Sequence, residues 1–450
     1  MGAVDWFRDR AVRKVVKYGI PVTIGKAFTS LAAVITLALL ARHLGPVLFG
    51  VLALIRTVIA IVESYANCNT WQAIVKYGTE AIAGGRTDDV RRIIKLGVVI
   101  DVVTALLSAI VVAGLAFVVP SAFDWSPHES MLCVLYALTI ATRIAGASDG
   151  VFRICDAYRA QAIISGVAAA VMTAAVAIAV ALDMSFDGCV VALVIGEVAG
   201  NIMIAACSQW VARQAGYGGW SKVSLQGIRA RFSGIVHFLV ATNAQLTVKK
   251  THAELDMVVV GAMLGKLPSG LFRVVKQLGT IPGKIFMPFE QVLFTELARC
   301  AATADYAGFA RLLRRTAGMA LIGSLVVWAV AAVAAEPLVT LVAGEEFRGA
   351  AEAFRWYLLA MVLNVANAPV QRAMIALGRP ATLFAFDLAT LVVLVGLMIA
   401  MTWQWGLVGV ALAVLVHKVI QMAWSTWLVG RIIRQRQTDA PAPPPEPAPT

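Results

Sequence analysis

The chain has 450 residues, of which 60% are hydrophobic and only 14% are charged, and its formal net charge is +12. This composition is typical of an integral membrane protein and excludes a large soluble domain. The six cysteines are scattered singly, without the spacing of a metal site or a disulfide framework, so we expect neither a metal nor any other cofactor.

Apolar segments of the roughly 20 residues that a bilayer crossing needs recur along the chain. Six are predicted at 18–40, 47–77, 94–119, 130–151, 161–182 and 188–211, and six more, after a polar connection, at 232–264, 268–296, 316–342, 354–376, 381–402 and 405–429. The eighth segment contains Gly279, Pro282, Gly283 and Pro288, which predict a kinked or broken helix. The sequence therefore predicts an all-α polytopic membrane protein with twelve transmembrane helices.

Lysine and arginine are distributed very unequally between the connections on the two sides of these segments. With the N-terminus inside, the cytoplasmic flanks hold 25 of them and the opposite connections hold only Arg42, Lys266 and Arg348. Cytoplasmic flanks of membrane proteins carry such an excess. The pattern predicts that both termini are cytoplasmic, and it explains the net charge without a nucleic-acid partner.

The two halves of the chain resemble diverged copies of each other. Leu44-Gly45-x4-Gly50 recurs as Leu264-Gly265-x4-Gly270 at a spacing of 220 residues, and Val151-x-Arg153 recurs as Val370-x-Arg372 at a spacing of 219. Because each half holds an even number of spans, the copies are parallel in topology. We expect a six-helix lobe over 1–211, a cytoplasmic connection over 212–231, a second six-helix lobe over 232–436 around a central cavity, and a disordered Pro-rich tail over 437–450.

The seventh span contains the most polar stretch of any predicted helix. It carries Lys249, Lys250, His252, Glu254 and Asp256, and each unpaired charge at a membrane centre costs roughly 2.5–3.5 kcal/mol. At helical periodicity these residues form a wide polar face, which must point into a bundle or a watery cavity. We interpret it as the wall of a cationic cavity for an anionic substrate. Two alternatives remain: Lys250 and Glu254 neutralise each other in a packed bundle, or the stretch is a loop.

Other spans also contain isolated charges. Cations at Lys26, Arg56, Arg273 and Lys276 complete the predicted substrate-binding set. Asp101, Glu197 and Asp387 are single carboxylates in apolar spans, each of which could be a hydrogen-bond acceptor that locks the bundle or, with Glu254 and Asp256, an ion-coupling group. The motifs of ATPases, deaminases and zinc proteases are absent from the sequence, so we expect no catalysis and assign no catalytic residue.

The segment from Leu40 to Gly50, LARHLGPVLFG, and the segment from Arg372 to Pro380, RAMIALGRP, resemble a known family of exporters. This is the polysaccharide-biosynthesis branch of the multidrug/oligosaccharidyl-lipid/polysaccharide exporter superfamily, the Wzx-like flippases of O-antigen and exopolysaccharide repeat units. The resemblance, supported by the six-plus-six arrangement, extends over nearly the whole chain. It implies two six-helix lobes around a central cationic cavity.

The resemblance also implies a function. A Wzx-like flippase moves an undecaprenyl-pyrophosphate-linked oligosaccharide across the bacterial inner membrane, driven by the membrane potential or an ion gradient. Its partners would be that substrate, membrane lipid and, as further candidates, polysaccharide polymerase and export proteins. The alternatives are a cation-coupled small-molecule or drug antiporter of the same superfamily and, from a different class, a membrane glycosyltransferase or polymerase, which the short loops disfavour.

Overall fold

The computed structural model describes residues 10–66, 68, 70–303 and 305–438, and within them every regular element is a helix. The N-terminal residues up to 9 and the predicted tail from 439 onward lie outside the described residues. The α-helices are α1 (Arg10–Ala66), α2 (Trp71–Ala83), α3 (Thr87–Leu115), α4 (Pro120–Phe123), α5 (Pro127–Tyr136), α6 (Leu138–Ala141), α7 (Ala145–Ile154), α8 (Tyr158–Ala181), α9 (Phe186–Gln214), α10 (Ile228–Arg231), α11 (Ile235–Leu264), α12 (Lys266–Gly279), α13 (Ile281–Ala302), α14 (Tyr306–Val333), α15 (Ala335–Ala343), α16 (Ala351–Ala376) and α17 (Pro380–Thr438).

In the described chain, eight helical stretches are long and apolar enough to cross a membrane. Two of them, Thr23–Tyr65 in α1 and Ala381–Thr438 in α17, are 43 and 58 residues long, and each is at least about twice the length of a single crossing. Each contains one glycine with a left-handed backbone, Gly45 at φ 67° and Gly406 at φ 55°. Glycine adopts this conformation without steric cost. The first interruption thus lies in the predicted connection between spans 18–40 and 47–77, and the second lies two residues beyond the predicted connection between spans 381–402 and 405–429.

The seventh and eighth predicted spans do not meet the same criteria of length and composition. α11 is nevertheless one continuous helix through the polar stretch 243–256, so the loop alternative is wrong. α12 ends at Gly279 and α13 begins at Ile281, with a proline in its first turn, which confirms the predicted break in the eighth segment. The charges in α11 and the shortness of α12 explain why the hydropathy criteria miss these two predicted spans.

The chain divides into two compact units. Unit 1 extends to Val274 and also includes Val339–Ala350, whereas unit 2 consists of Val275–Leu338 and the chain from Ala351 onward. α11 and the first part of α12 thus pack with the N-terminal helices. The two six-helix lobes that the sequence predicts, 1–211 and 232–436, have other boundaries than these units and remain a prediction.

In unit 1, α8 packs against both α1 and α9. The hydroxyls of Thr36 and Thr173 join α1 to α8 at 2.9 Å. A Cβ added to Gly25 would lie 2.9 Å from the Cβ of Ala162, so only small residues fit where the two helices meet at this point. Close approach through small residues is how membrane helices gain packing energy, because lipid is as apolar as their side chains.

Asp101 in α3 stabilises a helix start inside unit 1. It is fully buried, and its two carboxylate oxygens accept hydrogen bonds from the Thr70 hydroxyl at 2.7 Å and from the Ala147 backbone N–H at 2.6 Å. Ala147 lies in the first turn of α7, where N–H groups have no partner within the helix. Asp101 therefore has the bonding expected of a bundle-locking acceptor. The interruption between α6 and α7 that it stabilises contains Arg143.

In unit 2, α16 packs against α13, α14 and α17. The carboxylate of Glu290 accepts two hydrogen bonds from Arg372, at 2.6 and 3.1 Å, which joins α13 to α16. The Ser425 hydroxyl in α17 donates to the Asn367 side-chain oxygen in α16 at 2.8 Å. The second copy of the Val-x-Arg motif thus takes part in an interhelical ion pair through Arg372.

Candidate functional site

Unit 1 contains a partly open cavity of about 320 Å³, which we call the arginine cavity. Its wall is built from α1, α5, α6, α8, α9, α11 and α12 and from the break before α7. The polar residues that line it are Arg56, Glu63, Tyr136, Thr139, Arg143, Glu197, Asn201, Glu254 and Arg273. A group of charges this dense in an otherwise apolar bundle is a candidate functional site.

Arg56 and Glu197 form the ion pair at the centre of this lining. Arg56 Nη2 donates to Glu197 Oε1 at 3.0 Å, and the Tyr136 hydroxyl donates to the same oxygen at 2.7 Å. The Arg56 and Glu197 side chains are 32% and 21% exposed. The pair is therefore shielded more than a surface ion pair, yet it keeps access to the water of the cavity.

A second ion pair lies in the same cavity. Arg143 Nη1 donates to Glu63 Oε2 at 2.9 Å, with the arginine side chain 47% exposed. Arg143 lies in the non-helical break between α6 and α7. From there its side chain reaches Glu63, which lies near the C-terminal end of α1. This pair is more exposed than the one between Arg56 and Glu197, so it contributes less to stability.

Arg273 from α12 and Glu254 from α11 complete the charged lining. Glu254 interacts electrostatically with both Arg56 and Arg273. The described lining therefore holds three guanidinium groups and three carboxylates, and its formal charges balance. An anion can bind to the arginines here only in competition with the carboxylates that already neutralise them.

The predicted substrate-binding residues divide into those that line the cavity and those that lie elsewhere. Arg56 and Arg273 are in its wall. Lys250 and His252 are half-buried on α11 but are not in the described lining, and Lys26 is exposed on α1. Lys276 is buried in the part of α12 that belongs to unit 2. The side chain of Lys249 lies outside the described residues.

The predicted ion-coupling residues are also separated by the structure. Glu197 and Glu254 line the arginine cavity. Asp101 caps α7 as described above, and Asp256 is 4% exposed and accepts a hydrogen bond from the Met257 N–H at 2.8 Å. In unit 2, Asp387 accepts a hydrogen bond from Gln421 at 2.7 Å.

Sequence reasoning did not include five of the polar lining residues in the site: Glu63, Tyr136, Thr139, Arg143 and Asn201. Two of them could have been found from helical spacing. Glu63 follows Arg56 by seven residues and Asn201 follows Glu197 by four, so each shares a helix face with a residue already selected. Arg143 carried no such signal because it was counted with the cytoplasmic flank, and Tyr136 looks like an ordinary buried aromatic residue.

Comparison with known proteins identifies the family. A family model described as polysaccharide biosynthesis protein matches residues 39–352. Inner membrane protein YghQ of Escherichia coli (strain K12) is 23% identical over 271 residues, which cover 60% of this chain and 76% of that protein.

Two kinds of solved structure share the fold. The lipid II flippase MurJ in an inward closed conformation matches with a TM-score of 0.71 and 14% identity, over 93% of this chain and 90% of MurJ. A multidrug resistance MATE family transporter of the MOP superfamily in an inward-facing conformation matches with a TM-score of 0.68 and 14% identity, over 92% and 96% of the two chains. The family model covers well over half of the chain, and these likenesses cover nearly all of it. The chain therefore belongs to the polysaccharide biosynthesis protein family, and it is a multi-pass, all-helical membrane protein with the MOP superfamily fold.

Proposed function

We propose that the protein is a flippase that moves undecaprenyl-pyrophosphate-linked sugar repeat units across the bacterial inner membrane for surface polysaccharide export. The family match supports a role in polysaccharide biosynthesis. The similarity to a structure named as a lipid II flippase supports a fold that can carry a lipid-linked substrate. YghQ, which is named an inner membrane protein, supports the location.

The observation that carries the proposal is that Arg56 and Arg273 line the same cavity inside the helical bundle of unit 1. A guanidinium group stays charged in a membrane and can donate two parallel hydrogen bonds to a phosphate. A pyrophosphate linked to a polyprenyl chain needs such cations at its headgroup, while the hydrocarbon chain remains in lipid. Lys249 and Lys250 on α11 are further candidates for contact with the acidic part of the substrate.

The carboxylates of the cavity compete with the pyrophosphate for the arginines. The pyrophosphate must displace Glu197 from Arg56, because the two side chains are already joined at 3.0 Å. A proton or another cation that neutralised Glu197 or Glu254 would favour the exchange. These two residues are therefore the first candidates for coupling to an ion gradient, followed by Asp387 and Asp256, and the energy source would be the membrane potential or an ion gradient.

The same proposal includes the topology predicted from the sequence. α1 and α17 each supply two crossings around their central glycines. The charged helices α11 and α12–α13 supply the seventh and eighth, which brings the eight apolar stretches to twelve spans. The lobes would comprise 1–211 and 232–436, with both termini cytoplasmic, and polysaccharide polymerase and export proteins are candidate partners.

The test is complementation of a strain that lacks the gene. We expect that strain to lose its surface polysaccharide and to accumulate the lipid-linked repeat unit, and the wild-type gene to restore export. Arg56→Gln and Arg273→Gln should restore little export although both proteins reach the membrane. The matched control is Arg348→Gln, since Arg348 is exposed and pairs with Glu345 in its own turn.

Drug susceptibility measured in the same strains separates the antiporter alternative. An unchanged polysaccharide together with increased sensitivity to cationic drugs would contradict the flippase proposal and favour a drug antiporter.

A further inference from the structure

The two copies of the Leu-Gly-x4-Gly repeat contact each other. A Cβ added to Gly50, the last residue of the first copy, would overlap the carbonyl oxygen of Lys266 in the second copy. A Cβ added to Gly270 would overlap the carbonyl oxygen of Pro46 in the first copy. The contact is thus reciprocal and backbone to backbone, which only glycine permits at both positions.

Each copy also redirects its helix through its first glycine. Gly45 has φ 67° and interrupts α1, and Gly265 has φ 84° and separates α11 from α12. Next to them, Gly261 in α11 leaves room for the side chain of Leu54 in α1, which an added Cβ would overlap. The two helix hairpins therefore meet over a continuous surface, which we call the repeat clasp and define as residues 44–50 and 264–270.

The repeat clasp lies at one end of the arginine cavity. Gly50 precedes Arg56 by six residues and Gly270 precedes Arg273 by three, which correspond to about 9 Å and 4.5 Å along their helices. The segments that follow Gly50 in α1 and Gly270 in α12 therefore lead from the clasp directly into the cavity wall. In the orientation predicted from the lysine and arginine distribution, this end faces away from the cytoplasm.

An ion pair joins the clasp to a third wall of the cavity. Lys266 Nζ donates to both carboxylate oxygens of Glu129, at 2.9 and 2.8 Å, and the two side chains are 23% and 12% exposed. Glu129 also accepts a hydrogen bond from the Ser126 backbone N–H in a capping box, which fixes its position at the start of α5. α5 leads to Tyr136, which lines the cavity. The ion pair therefore holds the clasp against the helix that carries a cavity residue.

We propose that the repeat clasp, secured by Lys266 and Glu129, is the extracytoplasmic gate of the arginine cavity. The duplicated glycines permit two helix hairpins to close with backbone contact, and the ion pair holds them closed until transport requires the cavity to open to the other side. The inference goes beyond the proposed function because it concerns access to the cavity and holds for any cargo.

The first test compares glycine variants. Ala169 also lines the arginine cavity. A single cysteine replaces it in a background without the six native cysteines, and cells are treated with a membrane-impermeant thiol reagent. Gly50→Ala and Gly270→Ala should each increase its labelling from outside several-fold, because the added methyl group holds the hairpins apart. Gly114→Ala is the matched control, since a Cβ there meets no atom within 4 Å. A cysteine at Ser126 reports that the reagent reaches the outer face.

The second test does not depend on whether the glycine variants fold. Lys266→Met and Glu129→Gln each break the ion pair, and glutamine keeps the capping box. Each should increase cavity labelling several-fold, and the double variant should increase it no further than either single change. Unchanged labelling in both ion-pair variants would overturn the proposal. So would glycine variants that reach normal abundance without any increase in labelling, or an equal increase in Gly114→Ala.

Discussion

Replacing Glu197 with glutamine tests whether an anion must displace this carboxylate from Arg56. The charge is removed while the shape of the side chain and its ability to accept a hydrogen bond from the Tyr136 hydroxyl are kept. If the arginine cavity binds a pyrophosphate, the variant should bind it more tightly than the wild type. The ligand then no longer competes with a charged neighbour for the guanidinium group.

The size of the effect follows from the geometry. Two unit charges about 3 Å apart interact by roughly 5 kcal/mol at an effective dielectric constant of about 20. Arg56 Nη2 and Glu197 Oε1 lie 3.0 Å apart, but the two side chains are 32% and 21% exposed, so water screens the pair. The glutamine also keeps a neutral hydrogen bond to Arg56. We therefore expect a net gain of about 1.4 kcal/mol, which is about a tenfold lower Kd.

The assay is titration of the purified protein with inorganic pyrophosphate, followed by calorimetry and by the shift in Tm. Glu63→Gln is the matched control, because it removes a carboxylate from the same cavity but frees the more exposed Arg143, and it should change the Kd much less. Equal or weaker pyrophosphate binding by Glu197→Gln would refute the displacement argument, and so would an equal gain in both variants.

Three further predictions concern other parts of the structure. Asp101→Leu should lower membrane abundance, since it strands buried donors at a cost of roughly 1–3 kcal/mol each, while export per molecule stays near normal; a quantitative immunoblot and a polysaccharide assay separate the two. A cysteine at Ser126 should react with an impermeant reagent in intact cells and one at Ser221 should not, and the reverse would contradict the predicted orientation. Lys250→Gln should lower export with little change in abundance if Lys250 faces the substrate; loss of abundance that is rescued by adding Glu254→Gln would instead indicate a neutralising ion pair in a packed bundle.

The helical architecture could be predicted because hydropathy and glycine placement act locally. The polar stretch of α11 was predicted as a helical face, and the break between α12 and α13 was predicted from Gly279 and Pro282. The internal repeat was also visible in the sequence. The contact between the two copies of the repeat could not be predicted, because the sequence does not show that Gly50 and Gly270 approach each other. Such a contact depends on the packing of segments more than 200 residues apart.

The charged site was predicted only in part. Arg56, Arg273, Glu197 and Glu254 were selected because each interrupts an apolar span, and they line one cavity. Their pairing could not be read from the sequence, since a charge inside a span shows only that it needs a partner. The prediction of a largely cationic cavity did not foresee that the lining would hold as many carboxylates as arginines, with Arg56 and Arg143 each in an ion pair. Asp101 shows the same limit, because its acceptor role depends on a helix start in another segment.

Transport in a defined membrane tests the central claim most directly. The purified protein would be reconstituted into vesicles that contain a fluorescent polyprenyl-pyrophosphate-linked oligosaccharide, and a membrane-impermeant quencher would report the fraction in the outer leaflet over time. We expect the wild-type protein to move the lipid between leaflets, and Arg56→Gln and Arg273→Gln to do so far more slowly at equal protein content. Movement no faster than in protein-free vesicles, with and without an imposed membrane potential or proton or sodium gradient, would contradict the account.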